Sequence, residues 1–238
     1  GGARSADRGA RVPGGGADEA SQTLTYTVTG IPAASLGDIT LADGTVVTSG
    51  TTYTLTQIQG MKFVAAANAN GTGTFSYSVT DSGGTANGGV NTITESIALT
   101  VSAVNDAPVR TAGTVSALTV KEDAAITSLG LGSVTYSPGG GADEAGQTLT
   151  YTVTGVPAAS LGNITLADGT TVVTSGTNYS LVQIQGMKFV AAVNANGSGN
   201  FSYSVVDSGG TANGGVNTIS ESIAITVTAV NDAPVRTA

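Results

Sequence analysis

The chain has 238 residues, a formal net charge of −8, 35 glycines and 6 prolines, and it contains no cysteine, histidine or tryptophan. Without Cys or His there is no disulfide framework, thiolate nucleophile, zinc-thiolate site or imidazole base, so any bound metal is expected to be a hard cation held by oxygen. Eight Lys plus Arg against sixteen Asp plus Glu exclude an electrostatic nucleic-acid or anionic-membrane binder, and neither a transmembrane run nor a signal-type leader is visible, which leaves an excised piece or fragment as one reading.

Residues 1–13 carry Arg4, Arg8 and Arg11 but no apolar alternation. From Gly14 the pattern changes. Thr23 to Thr29 (TLTYTVT) alternates strictly and reads as a half-buried strand. Ile39–Ala42, Val46–Ser49, Tyr53–Gln59, Met61–Ala66, Gly73–Asp81 and Thr92–Val104 follow as strands, bounded by Gly, Asn, Asp or Pro. Asp43-Gly44 and Asn70-Gly71 are hairpin-type turn signals. Ala65–Ala69 is the best helical candidate, limited to about one turn by the Asn-Gly after it. Next, Gly113–Pro138 supplies an opening strand, Thr114–Lys121, and another near Ser133–Ser137.

The strand series then repeats. Residues 139–238 match residues 14–112 with 13 substitutions over 99 aligned positions and one inserted residue near Thr171. A period of about 126 residues is a whole domain rather than a solenoid repeat. Short strands without helices imply an all-β fold of two tandem immunoglobulin-like Greek-key β-sandwich domains, 1–112 and 113–238. The first is expected to lack its opening strand, either as a truncation or as an acceptor for a strand from a neighbouring subunit. The core is assigned to Tyr26, Leu41, Leu55, Ile58, Phe63, Phe75 and Tyr77, and to Tyr151, Leu166, Leu181, Ile184, Phe189, Phe201 and Tyr203.

The acids recur at domain ends: Asp18-Glu19 and Asp143-Glu144 before the TLTYTVT strand, Asp81 and Asp207 ending the YSV strand, and Asn105-Asp106 and Asn231-Asp232 after the last strand. Glu122-Asp123 follows the opening strand of the second copy only. Carboxylates gathered at one pole repel unless a cation neutralises them, and calcium accepts six to eight oxygens in flexible geometry. Asp43 and Asp168 read as turn residues. Glu95 and Glu221 read as solvated positions on the polar face of the last strand. Lys62 and Lys188 read as outward edge-strand lysines in preference to a Lys-Asn crosslink.

The VNDAPV end motif (Val104–Val109, Val230–Val235) resembles the interdomain linker of cadherins. ADEA with its following strand, and YSVxDSGG (Tyr77–Gly84, Tyr203–Gly210), are similar to acidic stations of cadherin-like domains. The whole pattern resembles the tandem cadherin-like repeats of large secreted bacterial adhesins. That resemblance implies a non-enzymatic structural module at the bacterial cell surface, stiffened by calcium at the domain junction and acting in adhesion or biofilm cohesion. Its partners would be neighbouring repeats or identical subunits, with any cell-surface or glycan target reached through other domains. By position it implies Asn105 and Asp106 as linker ligands, Asp143, Glu144 and Asp207 as ligands from the following domain, and Glu122 at the distal junction. Asp18, Glu19, Asp81, Asn231 and Asp232 are the corresponding stations of the other copy. A self-assembling fibre subunit and a carbohydrate-binding module of a secreted enzyme are the alternatives.

Overall fold

A computed structural model describes residues 19–234 and 236 of the protein. The chain divides into two compact units, Gly1–Ala103 and Val104–Ala238. The sequence period places a boundary at 112/113; the division falls earlier because Val109–Ala112 pairs antiparallel with Thr135–Ser137 and so belongs to the second unit. Residues 1–13, on which the expectation of a missing opening strand rests, lie outside the described residues.

In the first unit, strands β1 (Leu24–Gly30), β2 (Gly37–Thr40) and β3 (Thr52–Tyr53) precede helix α1 (Leu55–Gly60), and β4 (Lys62–Ala65), β5 (Gly71–Asp81) and β6 (Thr92–Val101) follow. They form a sheet of order β3-β1-β5-β6 and a pair β2-β4, so the chain alternates between sheets until the long β5-β6 hairpin. Tyr26 and Val28 from one sheet meet Ile39 from the other, with Val47, Ile58 and Met61, in one core. The period-2 pattern of β1 does this directly: Tyr26 and Val28 are buried while Thr25 and Thr29 are exposed.

Three local expectations are corrected. Tyr53–Gln59 is not a strand: it ends as one at Tyr53 and becomes α1, because Thr54 and Gln57 form a reciprocal cap. The Thr54 hydroxyl accepts from the Gln57 amide at 3.2 Å and Gln57 Oε1 accepts from the Thr54 amide at 2.9 Å. Val46–Ser49 contributes only a bridge at Val46, although Val47 is buried. Ala65–Ala69 is not helical; a turn closes from Ala69 N to Ala66 O with Asn68 at φ 55°, so the reversal comes before Asn70-Gly71.

The second unit repeats this plan with additions. It contains β7 (Val109–Ala112), β8 (Leu118–Lys121), β9 (Thr127–Ser128), β10 (Thr135–Ser137), β11 (Leu149–Gly155), β12 (Gly162–Thr165), β13 (Asn178–Tyr179), α2 (Leu181–Gly186), β14 (Lys188–Ala191), β15 (Gly197–Asp207) and β16 (Thr218–Thr228). The sheets are β13-β11-β15-β16-β8, β12-β14-β9 and β10-β7. Strand β8, shorter than the Thr114–Lys121 expected, runs parallel to β16 with Leu118 opposite Ile225. The second expected strand narrows likewise, from Ser133–Ser137 to β10.

Of the assigned core, Tyr151, Tyr203, Phe189, Phe201 and Ile184 are buried in the second unit, with Leu166 and Leu181 at its margin. In the first unit Tyr26, Ile58 and Phe75 are buried, whereas Tyr77, Phe63, Leu41 and Leu55 are half-buried. Among the described residues β6 pairs with β5 alone, and nothing in the first unit takes the place of β8. No described helix is long and apolar enough to cross a membrane.

Candidate functional site

Four of the acidic-station residues converge at one end of the second unit. Glu144 sits in the turn that precedes β11, closed from Glu144 N to Gly141 O at 3.2 Å and from Gln147 N to Glu144 O at 2.9 Å. Asp207 ends β15, where the pairing of Asp207 N with Asn217 O at 3.0 Å fixes its backbone. The VNDAP segment lies across both. Asp106 N donates to Glu144 Oε1 at 2.6 Å, and Asn105 Nδ2 donates to Asp207 Oδ1 at 3.0 Å and to Val216 O at 2.7 Å. Gln147 Nε2 donates to Asn105 Oδ1 at 2.8 Å, and Val216 N donates to Asn105 O at 2.8 Å.

Asn105 is therefore gripped on every polar group of its side chain, and the surrounding backbone is shaped to admit it. A Cβ at Gly209 would collide with Asn105 Oδ1, and one at Gly215 would stand 3.0 Å from the Asn105 Cβ. Glycine is required at Gly209 by this close approach, and at Gly215 a side chain would fit only if Asn105 gave way slightly.

Glu144 is 2 % exposed and Asp207 5 %. Each uses one carboxylate oxygen as described, Asp207 Oδ1 also accepting from Gly209 N at 2.9 Å. The other oxygens, Glu144 Oε2 and Asp207 Oδ2, are buried without a hydrogen-bond partner, as is Gln147 Oε1. Asp106 Oδ2 and Glu144 Oε2 flank the same point at Gly140, where a Cβ would strike the first and meet the second at 3.1 Å. Glu144 Oε2, Asp207 Oδ2 and Gln147 Oε1 are buried oxygen acceptors with no donor, the chemistry a hard cation satisfies. No group of three or more acids is arranged around a common metal position among the described residues.

The remaining stations fall elsewhere. Asp143 is exposed beside the buried Glu144. Glu122 is 6 % exposed at the opposite end of β16, where its amide donates to Thr228 O and its carboxylate accepts from Val230 N. Asn231 and Asp232 beyond it are exposed, linked by Asn231 Nδ2 to Asp232 O at 3.2 Å. Glu19 and Asp81 are half-buried in the first unit, and Asp18 lies outside the described residues.

Two expectations about charged residues are corrected. Glu95 and Glu221 are on the inward face, in phase with Ile97 and Ile223, not on the polar face. Glu221 is 14 % exposed and pairs with Arg110 at 3.2 Å; the Tyr136 hydroxyl donates to it at 3.3 Å and shares a 2.7 Å hydrogen bond with the Tyr203 hydroxyl. Burial drives both tyrosines above the ordinary phenol range, Tyr203 up to about 12. Lys188 is not on an edge, since β14 lies between β12 and β9, and its ammonium donates to Ala167 O at 2.6 Å. Gln147 joins the site without being one of the acidic stations; it and Gln22 follow the acidic turn in both copies.

Asp43 and Asp168 are turn residues, as expected. The Thr171 hydroxyl, with the Thr170 and Thr171 amides, holds the Asp168 carboxyl down at about 2. None of the tyrosines or phenylalanines is an exposed residue that could form a glycan-stacking platform.

No family model matches the chain, and no curated protein matches it. Among solved structures it is similar to PcdhgB3 EC1-4, with 14 % identity and a TM-score of 0.33 over 87 % of this chain and 41 % of that one. It is similar to Drosophila N-cadherin EC1-4, with 16 % identity and a TM-score of 0.31 over 89 % and 42 %, and to human CDH23 EC21-23, with 14 % identity and a TM-score of 0.34 over 85 % and 50 %. The chain spans half or less of the length of each of these three structures.

Proposed function

We propose that the two units are non-enzymatic structural repeats of a bacterial extracellular adhesin or surface filament, and that calcium at the Asn105-Asp106 pole stiffens the segment joining them. The observation that carries this reading is the pair of desolvated carboxylate oxygens, Glu144 Oε2 and Asp207 Oδ2, left without a donor. A buried carboxylate oxygen with no partner costs several-fold more than a neutral hydrogen bond returns, and a divalent cation removes that cost.

In this reading Glu144 and Asp106, whose oxygens flank Gly140, would begin the ion's coordination, and Asp207 and the exposed Asp143 would have to shift to join them. Asn105 acts through geometry: by occupying Asp207 Oδ1 it leaves Oδ2 for the metal. By position Glu122 with Asn231 and Asp232 would serve the distal end, and Glu19 and Asp81, with Asp18 outside the described residues, would serve the first unit. Bound calcium supplies positive charge and takes up carboxylate and carbonyl oxygens. The chain's own residues fix the linker by hydrogen bonds on either side of it.

Extracellular modules bind calcium at about 10⁻⁴ to 10⁻³ M, so the effect belongs to millimolar calcium. Thermal melting and small-angle scattering in calcium and then chelator test it: calcium should raise the melting temperature and lengthen the particle, with both effects lost in Glu144→Gln. Identical melts and scattering in the two buffers would overturn the calcium reading.

A further inference from the structure

The grip on VNDAP in the second unit is built from Glu144, Gln147, Asp207 and Val216, and the first unit carries the same four residues at Glu19, Gln22, Asp81 and Val90. They are already in the same local geometry. Gln22 N donates to Glu19 O at 3.0 Å, and Asp81 N pairs with Asn91 O at 2.9 Å. Gly83 N donates to Asp81 Oδ1 at 2.8 Å, and Thr23 N donates to Ser82 Oγ at 3.2 Å, the distance found from Thr148 N to Ser208 Oγ. Gly83 and Gly89 stand where Gly209 and Gly215 admit Asn105, and their Cβ positions meet only atoms of the first unit.

What differs is the cover. Glu144 and Asp207 are buried; Glu19 and Asp81 are half-exposed. Val90 is 84 % exposed against 53 % for Val216. Among the described residues no asparagine lies in the slot of the first unit.

The chain also carries a second copy of what fills such a slot. Val230–Pro234 repeats Val104–Pro108 residue for residue. Its Asn231 Nδ2 to Asp232 O contact, 3.2 Å, equals that of Asn105 Nδ2 to Asp106 O. Pro108 is buried in its setting, whereas Pro234, like Asn231 and Asp232, is exposed. Glu122 anchors the segment at Val230, and residues 231–234 beyond it are exposed.

We infer that the Asn231-Asp232 segment of one chain seats in the Glu19/Gln22/Asp81/Val90 slot of a second copy, joining copies head to tail. In the complex Asn231 Nδ2 donates to Asp81 Oδ1 and Val90 O, Gln22 Nε2 donates to Asn231 Oδ1, and Asp232 N donates to Glu19. Donor and acceptor are different surfaces, so the contact is heterologous and can repeat from one copy to the next. The grip is made of hydrogen bonds and stands apart from the calcium reading. Charge does not choose the occupant; the identical pair already assembled in the second unit does.

Sedimentation velocity of the full chain, from about 10 µM to about 1 mM and in both calcium and chelator, tests this over the range in which a small interface acts. Growth of dimers and longer species with concentration is expected in chelator as well as in calcium. Asn231→Ala with Asp232→Ala disables the donor by removing the three bonds of the Asn231 side chain, and Gln22→Ala with Asp81→Ala disables the acceptor by removing two of them, one to a carboxylate; each should weaken association about 100-fold. Mixing the two variants should restore a dimer and nothing longer, a result that misfolding of either partner cannot produce. A wild-type chain that stays monomeric throughout, variants that associate as wild type does, or a mixture without dimer would each overturn the inference. Association in chelator with no calcium effect on melting would sink the calcium proposal and leave this one standing.

Discussion

Replacing Asn105 by alanine isolates the contribution of the VNDAP grip. The substitution deletes the bonds to Asp207 Oδ1 and Val216 O and the one received from Gln147 Nε2. It also leaves Gln147 Nε2 without that acceptor and empties the space that Gly209 and Gly215 keep clear. Two neutral hydrogen bonds at about 1 kcal/mol each and one to a carboxylate at about 2 kcal/mol, reduced for the partial exposure of Asn105, give a loss of about 3 kcal/mol. For a unit of this size that is about 10 °C in melting temperature. Differential scanning calorimetry of the whole chain should show the transition of the second unit moving down while that of the first stays in place. Asn231→Ala is the matched control: the same residue in the same motif, exposed and, among the described residues, bonded to Asp232 O, should change stability by less than about 0.5 kcal/mol when the chain is dilute. An Asn105→Ala chain that melts within about 2 °C of wild type would refute the reasoning, because the grip would then be a description of proximity without energetic content.

Two further outcomes concern pH. Because desolvation raises Tyr203 to about 12, the folded second unit keeps its proton where the unfolded chain loses it; the stabilisation is complete below about pH 10 and is lost as pH rises toward 12. Absorbance at 295 nm should show Tyr136 and Tyr203 ionising only with cooperative unfolding in that window, and free titration near pH 10 would contradict the burial of the network. Asp168 behaves in the opposite sense: its carboxyl is held at about 2 by the Thr171 hydroxyl first and the two amides after it, so the turn is favoured above about pH 4 and released as pH falls toward 2. Carbon-detected NMR titration should place Asp168 near 2, and Thr171→Val should move it up; an unmoved value would reject the hydroxyl as the main cause.

The strands were legible because Thr and Tyr alternate with Leu and Val at period two, and that pattern survives any tertiary arrangement. The helix was legible too, in the Thr54-x-x-Gln57 and Ser180-x-x-Gln183 spacing, but the alternation of Tyr53, Leu55 and Gln57 gave a competing strand signal and the cap decided it. Glu144 and Asp143 could not be told apart in sequence, since only the phase of the turn sends the first inward and leaves the second in water. Glu221 departs from the polar-face expectation for a different reason: an acid in phase with Ile219 and Ile223 is held inside by Arg110 and Tyr136, and those residues come from strands far away in the chain.

The duplicated sequence separates what local sequence decides from what cover decides. Ile97 and Ile223 are identical residues at the same register, opposite Phe75 and Phe201, yet Ile223 is fully buried and Ile97 is not. Tyr77 and Tyr203, and Phe63 and Phe189, differ in the same direction. The strands common to both units pair with one another in the same way, so that part of the hydrogen-bonded architecture does not depend on the difference. The second unit alone has Val120, Leu129, Leu131 and Val134 in its core, all contributed by the segment between Gly113 and Pro138. At about 25 cal/mol per Å² of apolar surface, covering one large side chain is worth about 1.5 to 3 kcal/mol, so a few such residues amount to a large share of the stability of a small domain. The first unit should therefore be the less stable of two nearly identical sequences in the isolated chain.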